Sequence, residues 1–117
     1  MTKKSMWIFC FSVSIMLLGY LLTSSKLKAD VQPATPSAEV NIDNFSFGPD
    51  TLTVPVGATV TWKNRDDIPH TVVSTDGVFK SKVRDTDETF SYTFSKAGAY
   101  PYFCSIHPKM VGKVIVR

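Results

Sequence analysis

The stretch Tyr100-Pro-Tyr-Phe-Cys-Ser-Ile-His-Pro-Lys-Met110, followed after Val111 by Gly112-Lys-Val-Ile-Val-Arg117, sets the terms for the whole chain. Ala99 to Phe103 and Lys113 to Arg117 have the aromatic and β-branched composition of strands, and Gly112 leads into the second of them. The short segment between carries a thiol at Cys104, an imidazole at His107 and a thioether at Met110, with two residues separating each pair. That spacing puts three soft or borderline donors on one tight loop.

Upstream of this loop the chain keeps the same short-strand rhythm. Phe90, Tyr92 and Phe94 alternate with Ser91, Thr93 and Ser95, and Lys96-Ala97-Gly98 turns the chain. Ala58, Val60 and Trp62 alternate with Thr59 and Thr61 after a turn at Gly57. Leu52, Val54 and Val56 alternate too, with Pro55 outward, which predicts an edge strand. Val40, Ile42, Phe45 and Phe47 mark a strand from Glu39 to Phe47, broken near Asp43-Asn44, before a turn at Gly48-Pro49-Asp50. Asn64 to Asp67 reads as a polar loop, and Ile68-Pro69-His70 leads into a strand from Thr71 to Ser74. Thr75-Asp76-Gly77 is a turn, whereas Val78 to Asp87 shows no clear period. Roughly seven short strands, no helical period and no internal repeat predict an all-β antiparallel sandwich or barrel. A domain of this size folds without disulfides.

The first residues belong to something else. Lys3 and Lys4 precede an apolar run from Met6 to Thr23, the pattern of an export segment. We expect 1–29 to be a signal peptide cleaved after Ala29. A retained N-terminal membrane anchor is the rival, because the run is near the lower limit for a span and Lys26 and Lys28 follow it. Residues 30–37, with Pro33 and Pro36 among small polar residues, read as a linker, and 38–117 as the folded domain. Either version carries the domain out of the cytoplasm.

The charge balance agrees with this division. The chain is formally +3, but four of its thirteen Lys and Arg lie in 1–29, leaving nine basic against ten acidic residues. A near-neutral domain gives no reason to expect nucleic-acid binding. Cys10 lies in the apolar segment, so Cys104 is the only cysteine of the domain and an internal disulfide is impossible. A lone thiol in an oxidising compartment is a liability unless something occupies it.

Each donor taken singly has an ordinary structural use: buried cysteines act as small hydrophobes, and methionine fills cores. The conjunction is what carries information. The one other histidine is His70, and two His, one Cys and one Met form the donor set of a blue-copper electron-transfer site. Structural zinc favours more than one thiolate, and iron–sulfur clusters need more cysteines than the chain has. Copper is the metal these donors select, with His70, Cys104 and His107 in a plane and Met110 on the axis.

Ile68-Pro-His-Thr-Val72 and the Tyr100–Met110 segment closely resemble the cupredoxins, and the short Cys-x-x-His-x-x-Met loop is most similar to the amicyanin branch of the plastocyanin/azurin-like proteins. The resemblance runs from about Val40 to Arg117 and includes Gly57-Ala-Thr-Val-Thr-Trp-Lys-Asn64. It implies a Greek-key β-sandwich, one type 1 copper held by His70, Cys104, His107 and Met110, and export to the bacterial periplasm or cell surface. It also implies that Asn64 ties the loop before His70 to the loop that carries Cys104, and that His107 lies in an apolar docking patch. By position, Ile68, Pro69, Ile106, Pro108 and Val111 supply that patch. Lys109 departs from the family habit of an aromatic residue between loop proline and methionine, so no particular dehydrogenase partner carries over.

The expected function is therefore an exported, monomeric carrier of single electrons, not an enzyme. Its partners would be redox proteins (a dehydrogenase, cytochrome or oxidase) docking near His107. The alternative is a copper protein for storage, delivery or sensing. It is weakened because the chain has no Met-rich or His-rich tract, and three of its four Met lie in the export segment. A copper enzyme with a second metal centre would need more histidines than the two present.

Overall fold

Apolar residues two apart become the inner faces of two four-stranded sheets in the computed structural model, which describes residues 35–117. The expected leader or anchor at 1–29, and positions 30–34 of the expected linker, lie outside the described residues. In chain order the strands are β1 (Ser37–Asp43), β2 (Ser46–Gly48), β3 (Thr51–Val54), β4 (Thr59–Asn64), β5 (Val73–Ser74), β6 (Thr89–Thr93), β7 (Gly98–Phe103) and β8 (Val111–Val116). One sheet runs β2-β1-β4-β6 and the other β3-β8-β7-β5. The chain passes repeatedly from one sheet to the other, as in a Greek-key sandwich, and the described residues contain no helix.

The all-β sandwich is as expected, but its sheets are mixed rather than purely antiparallel. β1 pairs with β4 in parallel, Ser37 opposite Thr59 through Ile42 opposite Asn64, and β3 pairs in parallel with β8. Turn residues report the direction only of strands they join directly, such as β1 and β2. β4 returns to β1 after an excursion through β3 in the other sheet, so no local signal sets its direction. The edge position predicted from Pro55 is observed: β3 lies at the end of its sheet and stops at Val54.

Val40, Ile42, Val60 and Trp62 from one sheet meet Tyr102, Val114 and Val116 from the other, all almost wholly buried. The Tyr102 ring is contacted edge-on by Phe47 at 4.7 Å and by Trp62 at 5.4 Å between centroids. Such pairs add about 0.5–1.5 kcal/mol each beyond the area they bury. The outward positions of β4 and β6 form a hydroxyl ladder, Thr59 to Thr93 and Thr61 to Ser91 at 2.7 Å. The apolar/Thr alternation in the sequence thus serves both faces of the pair.

Two local readings change. The break expected near Asp43-Asn44 is a two-residue turn at Asn44-Phe45, with φ of 47° and 57°, closing β1 onto β2. The strand expected from Thr71 to Ser74 is only β5, because irregular pairing with the stretch after Val78 takes over. His70 and Arg84 exchange both backbone hydrogen bonds (3.1 and 2.8 Å), and Ser81 N–H donates to the Val72 carbonyl at 2.8 Å. Burial alternates from Val78 to Lys82, with Phe79 and Ser81 inside, but the phase is lost at the exposed Val83, so the alternation is too short and too polar to read as a strand. This stretch forms the wall behind His70.

Candidate metal centre

His70 is held from both sides before it meets any donor. Its backbone is clamped to Arg84, and its side chain is fully buried. The preceding turn is shaped by Asn64, whose amide donates to the carbonyls of Ile68 and Arg84, both at 2.9 Å. Asn64 Oδ1 in turn accepts the Asp66 N–H at 2.9 Å. His70 Nε2 lies 2.9 Å from Asp66 Oδ2, which orients the ring so that Nδ1 faces the opposite way, towards Cys104.

Cys104 follows directly on β7, at the position where the strand's alternation points inward after Tyr102, and is fully buried. The loop that leaves it is closed by its own backbone. Cys104 N–H donates to the Met110 carbonyl at 3.1 Å, and Met110 N–H to the His107 carbonyl at 2.9 Å. Met110 is buried at the far end of that closure, one residue before β8 begins. The Cys-x-x-His-x-x-Met spacing is thus one turn with both ends sewn to paired strands.

The structure brings the expected donors together. Nδ1 of His70 and Nδ1 of His107 each lie 3.8 Å from Cys104 Sγ, and the three ligand atoms all fall within 4.8 Å of one another. A metal roughly 2.0 Å from nitrogen and 2.3 Å from sulfur, in a trigonal plane, requires an N···S edge of about 3.7 Å. Both N···S edges match, so the two rings and the sulfur are spaced as a copper ion between them requires. One copper per chain is the cofactor for which this donor set is suited.

The thiol is prepared as a thiolate. Burial pushes Cys104 up, but the Thr71 N–H, the His70 ring and the backbone and ring of His107 outweigh it, drawing the thiol down from 9.0 to about 6. Thr71 N–H lies 3.4 Å and its hydroxyl 3.7 Å from Sγ. Asp66 is held below the usual carboxylate range, first by the Phe45 N–H and then by His70. Both shifts follow from hydrogen bonds to the charged form in a confined space.

The chain matches the family model of the cupredoxin-like domain over residues 14–116. It belongs to the cupredoxin-like family. Amicyanin from Paracoccus versutus is 34% identical, over 82% of this chain and 76% of that protein. The chloroplast plastocyanin of Tetradesmus obliquus is 31% identical over 91% of this chain and 79% of its own. Among solved structures, an amicyanin variant carrying Cu(I) superposes with a TM-score of 0.66 at 37% identity, covering 69% of this chain and 82% of its own. The chain is a cupredoxin of the amicyanin/plastocyanin branch.

With the cupredoxin frame in place, one inherited expectation needs correction. Among the described residues Asn64 bonds the turn before His70 and the Arg84 carbonyl, not the Cys104 loop. The tie between the two loops is Thr71, whose Oγ1 accepts the Ser105 N–H at 2.7 Å and meets the Ser105 hydroxyl at 2.7 Å. Thr71 lies next to His70 in sequence, so its hydroxyl joins the two ligand-bearing segments directly.

The sequence also missed Phe45. It is 53% exposed, and its ring stands edge-on to both imidazoles, 5.9 Å from His70 and 5.1 Å from His107. Phe45, Ile106, His107, Pro108, Lys109 and Met110 line an open depression of about 460 Å³ above the site. Of the expected patch, Ile106 and Pro108 line it, whereas Ile68, Pro69 and Val111 do not; Val111 borders a separate depression with Asp50 and Thr51, and Lys109 puts one cation on the lining. The only sequence signal for Phe45 was its phase: with Phe47 facing the core, two residues earlier should also face inward. The left-handed turn at Asn44-Phe45 overrides that phase and swings Phe45 over the donors.

Proposed function

We propose that this cupredoxin carries single electrons between redox proteins outside the cytoplasm, using one copper held by His70, Cys104, His107 and Met110. The observation that carries the reading is the pair of imidazole Nδ1 atoms, each 3.8 Å from one buried sulfur, beneath an apolar depression that His107 itself lines. Bound there, copper supplies a one-electron Cu(I)/Cu(II) couple.

The residues do the rest. His70, clamped by Arg84 and Asp66, and Cys104, fixed by Thr71 and the Met110 carbonyl, cannot relax when the charge of the site changes. A site that does not rearrange has little to reorganise on gaining or losing an electron. Met110 would add a weakly binding thioether of the kind that suits copper. Burial of Cys104 and His70 excludes water, while half-buried His107 brings the site to the surface that a partner touches. The apolar rim suits brief docking, and Lys109 favours a partner with an acidic group facing the patch. Such a partner would be a dehydrogenase, cytochrome or oxidase. The export reading of 1–29 supports an extracytoplasmic location, as a released or an anchored protein.

One spectrum tests the reading. The purified protein, loaded with copper and oxidised, should be intensely blue from charge transfer between the Cys104 thiolate and Cu(II). Cys104→Ser should lose the colour and keep the β-sheet circular dichroism. A colourless protein that fills instead with zinc sinks the electron-transfer reading.

A further inference from the structure

The two imidazoles of the site are not equivalent, and the difference is a carboxylate. Asp66 Oδ2 lies 2.9 Å from His70 Nε2 and also accepts the Phe45 N–H at 3.1 Å. The backbone of Asp66 is pinned as well: its N–H donates to Asn64 Oδ1 at 2.9 Å, and its carbonyl accepts the Thr86 hydroxyl at 2.6 Å. Asp66 is 9% exposed and His70 not at all, so water does little to screen the pair. Among the described residues no carboxylate is hydrogen-bonded to His107, whose ring meets Phe45 and the surface depression instead.

We infer that Asp66 is a positioning residue for the copper, fixing His70 in the tautomer whose Nδ1 faces Cys104 and lowering the reduction potential of the site through its negative charge. An acceptor behind a ligating imidazole decides which nitrogen carries the proton and makes the other a better donor. A fixed negative charge attracts Cu(II) more than Cu(I), and here it sits at hydrogen-bond distance behind a ring that water does not reach. Because Asp66 Oδ2 also holds the Phe45 N–H, the same carboxylate sets the turn that roofs the site. Its neighbour Asp67 is exposed and provides a natural control.

The inference rests on the copper reading above, and the experiment separates the two. Reduction potential and the affinities for Cu(I) and Cu(II) are measured for the full chain, for Asp66→Asn and for Asp67→Asn. Removing a partner behind a ligand weakens metal binding roughly 10–100-fold, and Asp66→Asn should cost Cu(II) more than Cu(I). A tenfold gap between the two losses appears as a potential raised by about 59 mV for a one-electron couple. Asp67→Asn, with the same loss of formal charge, should leave the ratio nearly unchanged. Equal shifts in the two variants, or a lower potential in Asp66→Asn, overturn the inference. So that nothing depends on the variant folding, the copper-free unaltered protein is examined by NMR: the His70 Nε2 proton should exchange slowly with solvent, and fast exchange overturns the inference. A chain that stays colourless with copper defeats the functional reading and this inference with it. A blue protein whose potential ignores Asp66 defeats this inference alone.

Discussion

Replacing Gly112 with alanine adds one methyl group where the structure has no space for it. Gly112 sits opposite Tyr102 in the β7–β8 register, directly beneath the Cys104–Met110 loop. A Cβ there would stand 2.4 Å from the Tyr102 Cζ and hydroxyl and 2.8 Å from Cε2. Non-bonded carbon atoms settle at about 3.5–4.0 Å, so the ring would have to retreat by roughly 1 Å or more. It cannot do so cheaply, because Tyr102 is 1% exposed and already packed against Phe47 and Trp62. Gly112 is not among the positive-φ glycines, so the penalty is purely steric. Overpacking of this kind costs about 1–3 kcal/mol. In a domain of this size each kcal/mol is worth about 4–8 °C, so melting of the copper-free protein followed by circular dichroism should fall by roughly 5–20 °C. The variant should also shift the visible band of the copper-loaded protein, because β7 and β8 carry Cys104 and Met110 at their ends. Combining Gly112→Ala with Tyr102→Leu should cost less than the sum of the two, since the second change removes the obstacle to the first. A melting temperature within about 2 °C of the unaltered protein would refute the packing argument.

The thiol of the copper-free protein should ionise near pH 6 rather than 9.0, read from thiolate ultraviolet absorbance. Because the folded value lies below the unfolded one, thiolate stabilisation is complete above pH 9 and is lost as pH falls through 6. The urea midpoint should therefore rise across that window and stay flat in Cys104→Ser; a thiol titrating near 9 would contradict the hydrogen-bond assignment. Thr71→Val keeps the shape of a buried side chain but removes the hydroxyl that joins Ser105 to the His70 strand, which should cost about 1–2 kcal/mol in denaturant titration and move the charge-transfer band. An unchanged band would mean that Thr71 holds the fold and not the sulfur. Phe45→Ala should slow electron exchange with the native partner while leaving the colour intact, since the ring touches the imidazoles only from outside; an unchanged rate would remove Phe45 from the docking face. Lys109→Glu should alter the salt dependence of that exchange, with the potential little changed. A salt dependence identical to that of the unaltered protein would show that the partner does not meet this cation.

Copper, the class of fold and the donor set proposed for the metal can all be read from the sequence alone. Cys104, His107 and Met110 are legible because their spacing is local, and a seven-residue loop between two strands has few ways to close. The inward faces of β1, β4, β7 and β8 are legible because burial on one side of a strand imposes a period of two. Tertiary structure alone decided what surrounds the donors. The parallel pairings of β1 with β4 and β3 with β8 join segments with no turn between them, so no local chemistry records their direction. The stretch after Val78 alternates only as far as Lys82, with a serine at one inward position, since it is shaped by the irregular edge at His70 and Arg84 rather than by a regular sheet. Phe45 reads as core by phase, and a left-handed two-residue turn carries it to the surface over both imidazoles. Asp66 reads as a solvated loop charge beside Asp67. Only the folding of the 64–68 turn beneath the β1–β2 hairpin buries it against His70 and separates the two adjacent aspartates, one facing the site and the other facing water.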